Sequence, residues 1–293
     1  MRLAGIYIPV TTPFVDNRIA IEKLAFNLEK WNAYDLDGYV ILGSTGEAVY
    51  LSQPEKLELV KTARKYIPHE KKMIVGTGLE STVATIEFTN RVSELGVDCA
   101  LVLTPNYYKN QMQDEHLLYH FNSVADKSSL PVILYNVPKF TKIDLSSAVI
   151  KQLSSHANII GIKDSTSNLT KLMELVKIEA TNFSLLIGNA SNYLCGLLMG
   201  AQGAILALCN IAPKECGQIY RLYNNKSYED ARQLFLKVFP LATNIIASFG
   251  IPAIKAALDL LGYYGGKPRP PLLPLSTNLL PEIRQHLIDA ELL

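Results

Sequence analysis

Short apolar runs alternate with longer amphipathic stretches along most of the chain. The apolar runs 5–10, 38–42, 73–75, 99–103, 132–135, 159–162, 184–187 and 203–206 are rich in β-branched and aliphatic residues. Their length and composition predict eight strands. Successive starts lie 19 to 35 residues apart, which leaves room for one helix in each gap. Ser52-Gln53-Pro54-Glu55 has the form of a capping box with proline in the first turn. Leu57, Val60, Ala63 and Ile67 then follow at helical spacing. Ser81, Asp144 and Asn168 are candidate caps for later helices.

Regular alternation of strand and helix predicts a parallel sheet covered by helices. Eight units fit an α/β fold of the closed (β/α)8 TIM-barrel kind; a doubly wound open sheet is the alternative. After about Pro213 the pattern turns helical, with candidate helices at 227–247, 251–261 and 281–290. The expected organisation is a barrel core over 1–212. Residues 213–293 supply its last helix and a C-terminal helical extension packed on it.

Bulk properties narrow the class. Of 293 residues, 48% are hydrophobic and 19% charged, the balance of a globular chain. A formal net charge of +1 offers no electrostatic case for nucleic acid or an anionic membrane. No apolar run reads as long enough to span a bilayer. The N-terminal residues lack the apolar core and cleavage site of a signal peptide. Cys99, Cys195, Cys209 and Cys216 form no C-x-x-C pair, which suggests reduced thiols and a cytoplasmic protein.

In such a barrel the active site lies at the C-terminal ends of the strands. There the chain carries Gly43-Ser44-Thr45-Gly46-Glu47, Gly76-Thr77-Gly78, Thr104-Pro105-Asn106-Tyr107-Tyr108, Tyr135-Asn136-Val137-Pro138, Lys163-Asp164-Ser165 and Gly188-Asn189-Ala190-Ser191. Lys163 follows the buried run Ile159-Ile160-Gly161-Ile162. Burial disfavours an ammonium, and a neutral amine attacks carbonyls. Tyr135, on the neighbouring strand, is a candidate proton carrier. The Ser44 and Thr45 hydroxyls and N–H groups suit a carboxylate. On residue type alone these three also read as a solvated strand-end lysine, an aromatic capping the core and a plain turn. Glu47 reads as preparing the following helix rather than as a base.

Competing motifs are weaker. Gly76-Thr77-Gly78-Leu79-Glu80-Ser81 lacks the third glycine of a dinucleotide fingerprint. His116 and His120 share a helix face without the glutamate and third ligand of a zinc site. No G-x-S-x-G is present.

Taken in order, Gly43-Ser44-Thr45-Gly46-Glu47, Tyr135-Asn136-Val137-Pro138 and Gly161-Ile162-Lys163-Asp164-Ser165 resemble the dihydrodipicolinate synthase / N-acetylneuraminate lyase superfamily. The resemblance runs from Pro9-Val10-Thr11-Thr12-Pro13-Phe14 to the proline-rich stretch near Pro271. It implies a class I aldolase or lyase on a (β/α)8 barrel, commonly a homotetramer, acting on a small 2-oxo acid without metal or cofactor. It further implies that Lys163 is the Schiff-base lysine and Tyr135 its proton relay. Ser44 and Thr45 resemble the pair that holds the oxo-acid carboxylate and joins the relay. Tyr107 or Tyr108 resembles a tyrosine that completes the relay across a subunit interface. Gly188 resembles a glycine whose carbonyl lines the pocket, and Ser165 stands where it can order the pocket or touch the distal part of the substrate.

The synthase has an arginine two residues after the proline of its Tyr-Asn-Val-Pro motif, where it receives the second substrate. This chain has Phe140, which cannot bind a carboxylate bidentately. Gly78-Leu79-Glu80-Ser81-Thr82, Thr104-Pro105-Asn106-Tyr107-Tyr108-Lys109, Lys163-Asp164-Ser165 and Phe249-Gly250-Ile251-Pro252 with Gly262-Tyr263-Tyr264-Gly265-Gly266 look most like the 4-hydroxy-2-oxoglutarate aldolases. The expected reaction is therefore cleavage of 4-hydroxy-2-oxoglutarate to pyruvate and glyoxylate. The alternatives are 4-hydroxy-tetrahydrodipicolinate synthesis, a sugar-acid aldolase or dehydratase, and a non-catalytic keto-acid-binding protein.

Overall fold

The structure is a computed structural model and describes residues 3–293. Its strands are β1 (Gly5–Pro9), β2 (Phe14–Val15), β3 (Arg18–Ile19), β4 (Gly38–Ile41), β5 (Lys72–Gly76), β6 (Cys99–Leu103), β7 (Val132–Asn136), β8 (Ile159–Asp164), β9 (Ser184–Ile187) and β10 (Gly203–Ile205). Eight of them close into a barrel in the order β1-β10-β9-β8-β7-β6-β5-β4. β2 and β3 form a separate antiparallel hairpin, with Phe14 opposite Ile19. All eight predicted strands are present, each within two residues of its expected ends. The main shift is in β8, which runs on through Lys163 and Asp164. Lys163 is thus an interior strand residue, not one that follows a strand.

Two compact units make up the chain. One comprises the segment up to Gly5 together with Lys72–Ile205; the other comprises Ile6–Lys71 and Leu206–Leu293. In the first, β5 to β9 pair in parallel, and side chains along them (Ile74, Leu101, Ile133, Leu134, Ile162, Leu186) are buried. In the second, Trp31 is fully buried, stacks on Tyr263 at 5.4 Å and donates its indole N–H to the Asn210 carbonyl at 3.1 Å.

Helix starts follow the expected chemistry, with one correction. Ser52 and Glu55 form the capping box of the helix Gln53–Tyr66. Its buried stripe is Leu59, Val60, Thr62 and Ala63, so Leu59 takes the core position expected of Leu57. Ser81 and Asn168 cap the helices Thr82–Ser93 and Leu169–Val176. Asp144 caps nothing. Ser146 caps the helix Ser147–Leu153, because its hydroxyl accepts the Val149 N–H at 3.2 Å.

The C-terminal pattern also differs from expectation. The helix Tyr228–Pro240 continues as a π-helical stretch, Leu241–Ala247, and then as Ser248–Leu260. By length and composition this run, Tyr228–Leu260, is apolar enough to cross a membrane, contrary to the expectation that no apolar run is long enough to do so. It is not one straight rod. Gly250, at φ 65° and ψ −145°, breaks the helical path two residues before Pro252.

Candidate active site

Tyr135 and Lys163 are register partners across β7 and β8, as are Asn136 and Asp164 one residue on. Side chains alternate faces along a strand, so each pair shares one face. On the first face, Lys163 is 4% exposed and Tyr135 6%. The Lys163 nitrogen lies 4.2 Å from the centre of the Tyr135 ring.

Gly188, just after β9, closes on the same lysine. A Cβ at Gly188 would fall 2.0 Å from Ser165 Oγ and 3.1 Å from Lys163 Cε. Glycine is therefore required for Lys163 and Ser165 to occupy their places. The Gly188 N–H donates to the Asp164 carbonyl at 2.7 Å, and the Ser165 N–H to the Asn136 carbonyl at 2.9 Å. Ser165 Oγ is buried without a hydrogen-bond partner among the described residues. Lys163, Tyr135, Ser165 and Gly188 thus meet in one unit.

On the opposite face a polar network holds this pair of strands in register. Asn136 Nδ2 donates to Asp164 Oδ1 at 2.7 Å and to Asp144 Oδ1 at 2.8 Å, while its Oδ1 accepts the Leu145 N–H at 3.0 Å. Asp164 Oδ2 accepts the Thr166 hydroxyl at 2.6 Å and the Thr166 N–H at 3.2 Å. Lys171 completes the network by pairing with Asp144. None of Asn136, Asp144, Asp164 or Lys171 stood out in the sequence as a functional residue. Their signal was position alone, since Asn136 and Asp164 directly follow Tyr135 and Lys163.

Ser44 and Thr45 belong to the other unit. They lie in a 3-10 turn, Ser44–Gly46, that follows β4. The Gly46 N–H donates to the Gly43 carbonyl at 3.0 Å and the Glu47 N–H to the Ser44 carbonyl at 3.1 Å. Thr12 Oγ1 donates to the Gly46 carbonyl at 2.6 Å. Glu47 ends the turn in a left-handed conformation, φ 55°, with its carboxylate buried against Lys255. It does more than prepare a helix. In the sequence a single lysine in an apolar helix, such as Lys255, reads as a solvent-facing interruption. Its spacing from Ile251 and Leu258 places it on the apolar stripe, which was the available signal.

Tyr107 and Tyr108 stand after β6, 77% and 69% exposed, with rings edge to face at 5.0 Å. Glu80 Oε2 accepts the Asn106 and Tyr107 N–H groups, each at 2.8 Å, and so fixes the backbone beneath them. Phe140 lies on the short helix Pro138–Thr141 and is 60% exposed. His116 and His120 do not converge. His120 is buried with its Nδ1 2.9 Å from Thr82 Oγ1, whereas His116 is exposed beside Glu115. Among the described residues, no group of three His, Cys, Asp or Glu side chains is placed to hold a metal ion.

Residues 2–290 match the dihydrodipicolinate synthetase family. The 4-hydroxy-tetrahydrodipicolinate synthase of Methanococcus maripaludis strain C7 is 30% identical over 292 residues, covering 99% of this chain and 100% of the relative. That of Macrococcus caseolyticus is 33% identical over 271 residues, 92% and 90% of the two chains. The crystal structure of the chloride-inhibited dihydrodipicolinate synthase of Acinetobacter baumannii complexed with pyruvate superposes with a TM-score of 0.94 at 30% identity, covering 99% of each chain. These relatives carry the synthase's name, not that of 4-hydroxy-2-oxoglutarate aldolase. On that point the sequence expectation gives way to what it held as its alternative.

Proposed function

The chain belongs to the dihydrodipicolinate synthetase family, and on that premise we propose that it activates pyruvate as a Schiff base at Lys163 and joins it to aspartate semialdehyde. It is an enzyme, a lyase of the class I aldolase type. The observation that carries the reading is the buried Tyr135–Lys163 register pair, with Gly188 leaving room for the lysine.

The steps follow from the groups present. The Lys163 amine adds to the C2 carbonyl of pyruvate, and loss of water leaves an iminium. The iminium draws electrons from C3, a proton leaves the methyl group, and an enamine forms. Its C3 attacks the aldehyde carbon, making one C–C bond, and the new alkoxide takes up a proton. Tyr135 carries these protons, and the Ser44–Thr45 turn holds the pyruvate carboxylate. Attack on C2 by the amine of the second substrate then releases Lys163. Exposed Tyr107 and Tyr108 support assembly as a homotetramer in which one of them serves a neighbouring subunit.

Phe140 favours a second reading. No guanidinium stands at that position to receive a distal carboxylate. In this reading the same Schiff base runs in the cleavage direction on 4-hydroxy-2-oxoglutarate, with Tyr135 taking the proton of the C4 hydroxyl. Purified enzyme assayed with pyruvate and aspartate semialdehyde, and separately with 4-hydroxy-2-oxoglutarate, distinguishes the two. Higher kcat/KM for the condensation is the expected result. Faster cleavage overturns the synthase reading and establishes the aldolase.

A further inference from the structure

Lys255 and Glu47 form an ion pair with both side chains fully buried, Nζ to Oε1 2.8 Å. Lys255 sits on the helix Ser248–Leu260, far along the chain from the turn that Glu47 terminates. Burying two charges is costly, and an apolar pair of the same volume would often be as stable. The geometry around the pair suggests what it does. Lys255 Nζ also donates to the Thr12 carbonyl at 2.8 Å and the Lys267 carbonyl at 3.1 Å, and lies 4.6 Å from the centre of the Phe14 ring. Thr12 in turn donates its hydroxyl to the Gly46 carbonyl. The other Glu47 oxygen accepts the Arg269 N–H at 2.8 Å.

These contacts close a ring: Lys255 to Thr12, Thr12 to Gly46, Gly46 to Glu47, and Glu47 back to Lys255. The ring grips the C-terminal end of the Ser44–Gly46 turn. It also holds Glu47 in a left-handed conformation that a non-glycine residue keeps only when its surroundings impose it. Lys255 itself has little freedom, because Gly265 packs so tightly that a Cβ there would fall 1.8 Å from the Lys255 carbonyl.

We propose that the Lys255–Glu47 pair is a positioning device for the Ser44–Thr45 turn, so that the C-terminal segment sets the geometry of the oxo-acid carboxylate site. The proposal rests on the reading above, in which Ser44 and Thr45 hold that carboxylate. Without Lys255, the buried Glu47 loses its cationic partner; it leaves its place and takes the turn with it.

The test uses Glu47→Gln, Lys255→Met and the double variant in the full-length enzyme, with Thr45→Val alongside. Each single variant of the pair raises KM for pyruvate about tenfold and leaves kcat at saturating pyruvate within about threefold. The double variant is no worse than the poorer single one, because the two residues act as one unit. A lowered Tm with unchanged KM for pyruvate in any variant that folds overturns the proposal. So does failure of all three to fold, which makes the pair a folding element only. Thr45→Val separates the two levels: unchanged KM there means the carboxylate reading is wrong. Raised KM there, with unchanged KM in the pair variants, means the pair proposal alone is wrong.

Discussion

Tyr135 and Lys163 face each other across one rung of the β7–β8 ladder, the lysine nitrogen 4.2 Å from the centre of the tyrosine ring. The ring walls the amine, and the hydroxyl is the part that can carry protons. Tyr135→Phe separates these roles. The variant keeps the wall and still forms the pyruvate adduct, but steady-state turnover falls by about a hundredfold or more. Turnover within a few-fold of the parent would remove Tyr135 from the relay.

Gly188→Ala tests the lysine's space. The new methyl group meets Ser165 Oγ first, at 2.0 Å, then the Asp164 carbonyl at 3.0 Å and Lys163 Cε at 3.1 Å. Activity is lost, and adding Ser165→Ala restores part of it by removing the nearer obstacle. An equally inactive double variant would show that the clash with Ser165 is not what matters.

The network behind the site gives a stability prediction. Asn136→Ala removes the donor shared by Asp144 and Asp164 and the acceptor for Leu145 N–H. Urea unfolding is expected to show a loss of about 2–3 kcal/mol, the cost of leaving buried polar groups unpaired. A loss under about 0.5 kcal/mol, the range of ordinary surface changes, contradicts a structural role for the network.

His120 supplies a pH signature. Burial pulls its imidazole down to about 4 from the ordinary 6.5. The unfolded chain therefore takes up this proton first. The stability associated with neutral His120 is fully present above pH 6.5 and is lost as the pH falls toward about 4. The loss amounts to about 3 kcal/mol at most. Urea titrations across this window show a flatter dependence for His120→Gln than for the parent; identical slopes would contradict the assignment.

How much of this was legible in the sequence depends on the signal each element leaves. The barrel strands are continuous apolar runs, so both their number and their positions could be read. The motif residues Lys163, Tyr135, Ser165 and Gly188 fell at strand ends and indeed meet in one unit. The β2–β3 hairpin left no apolar run, because each strand has two residues. Only Asp16-Asn17, both at positive φ, marked its turn. Asp144 looked like a cap because helix caps and carboxylates of a side-chain network share a residue type. The Lys255–Glu47 pair was invisible because its halves lie far apart in the chain and each reads alone as surface charge.

Lys163 is the residue proposed to carry the Schiff base. Treating the enzyme with borohydride in the presence of pyruvate, followed by peptide mass spectrometry, tests it directly. A reduced pyruvyl adduct is expected on the peptide containing Lys163, dependent on pyruvate and absent from Lys163→Met. No adduct, or an adduct on another lysine, would contradict it.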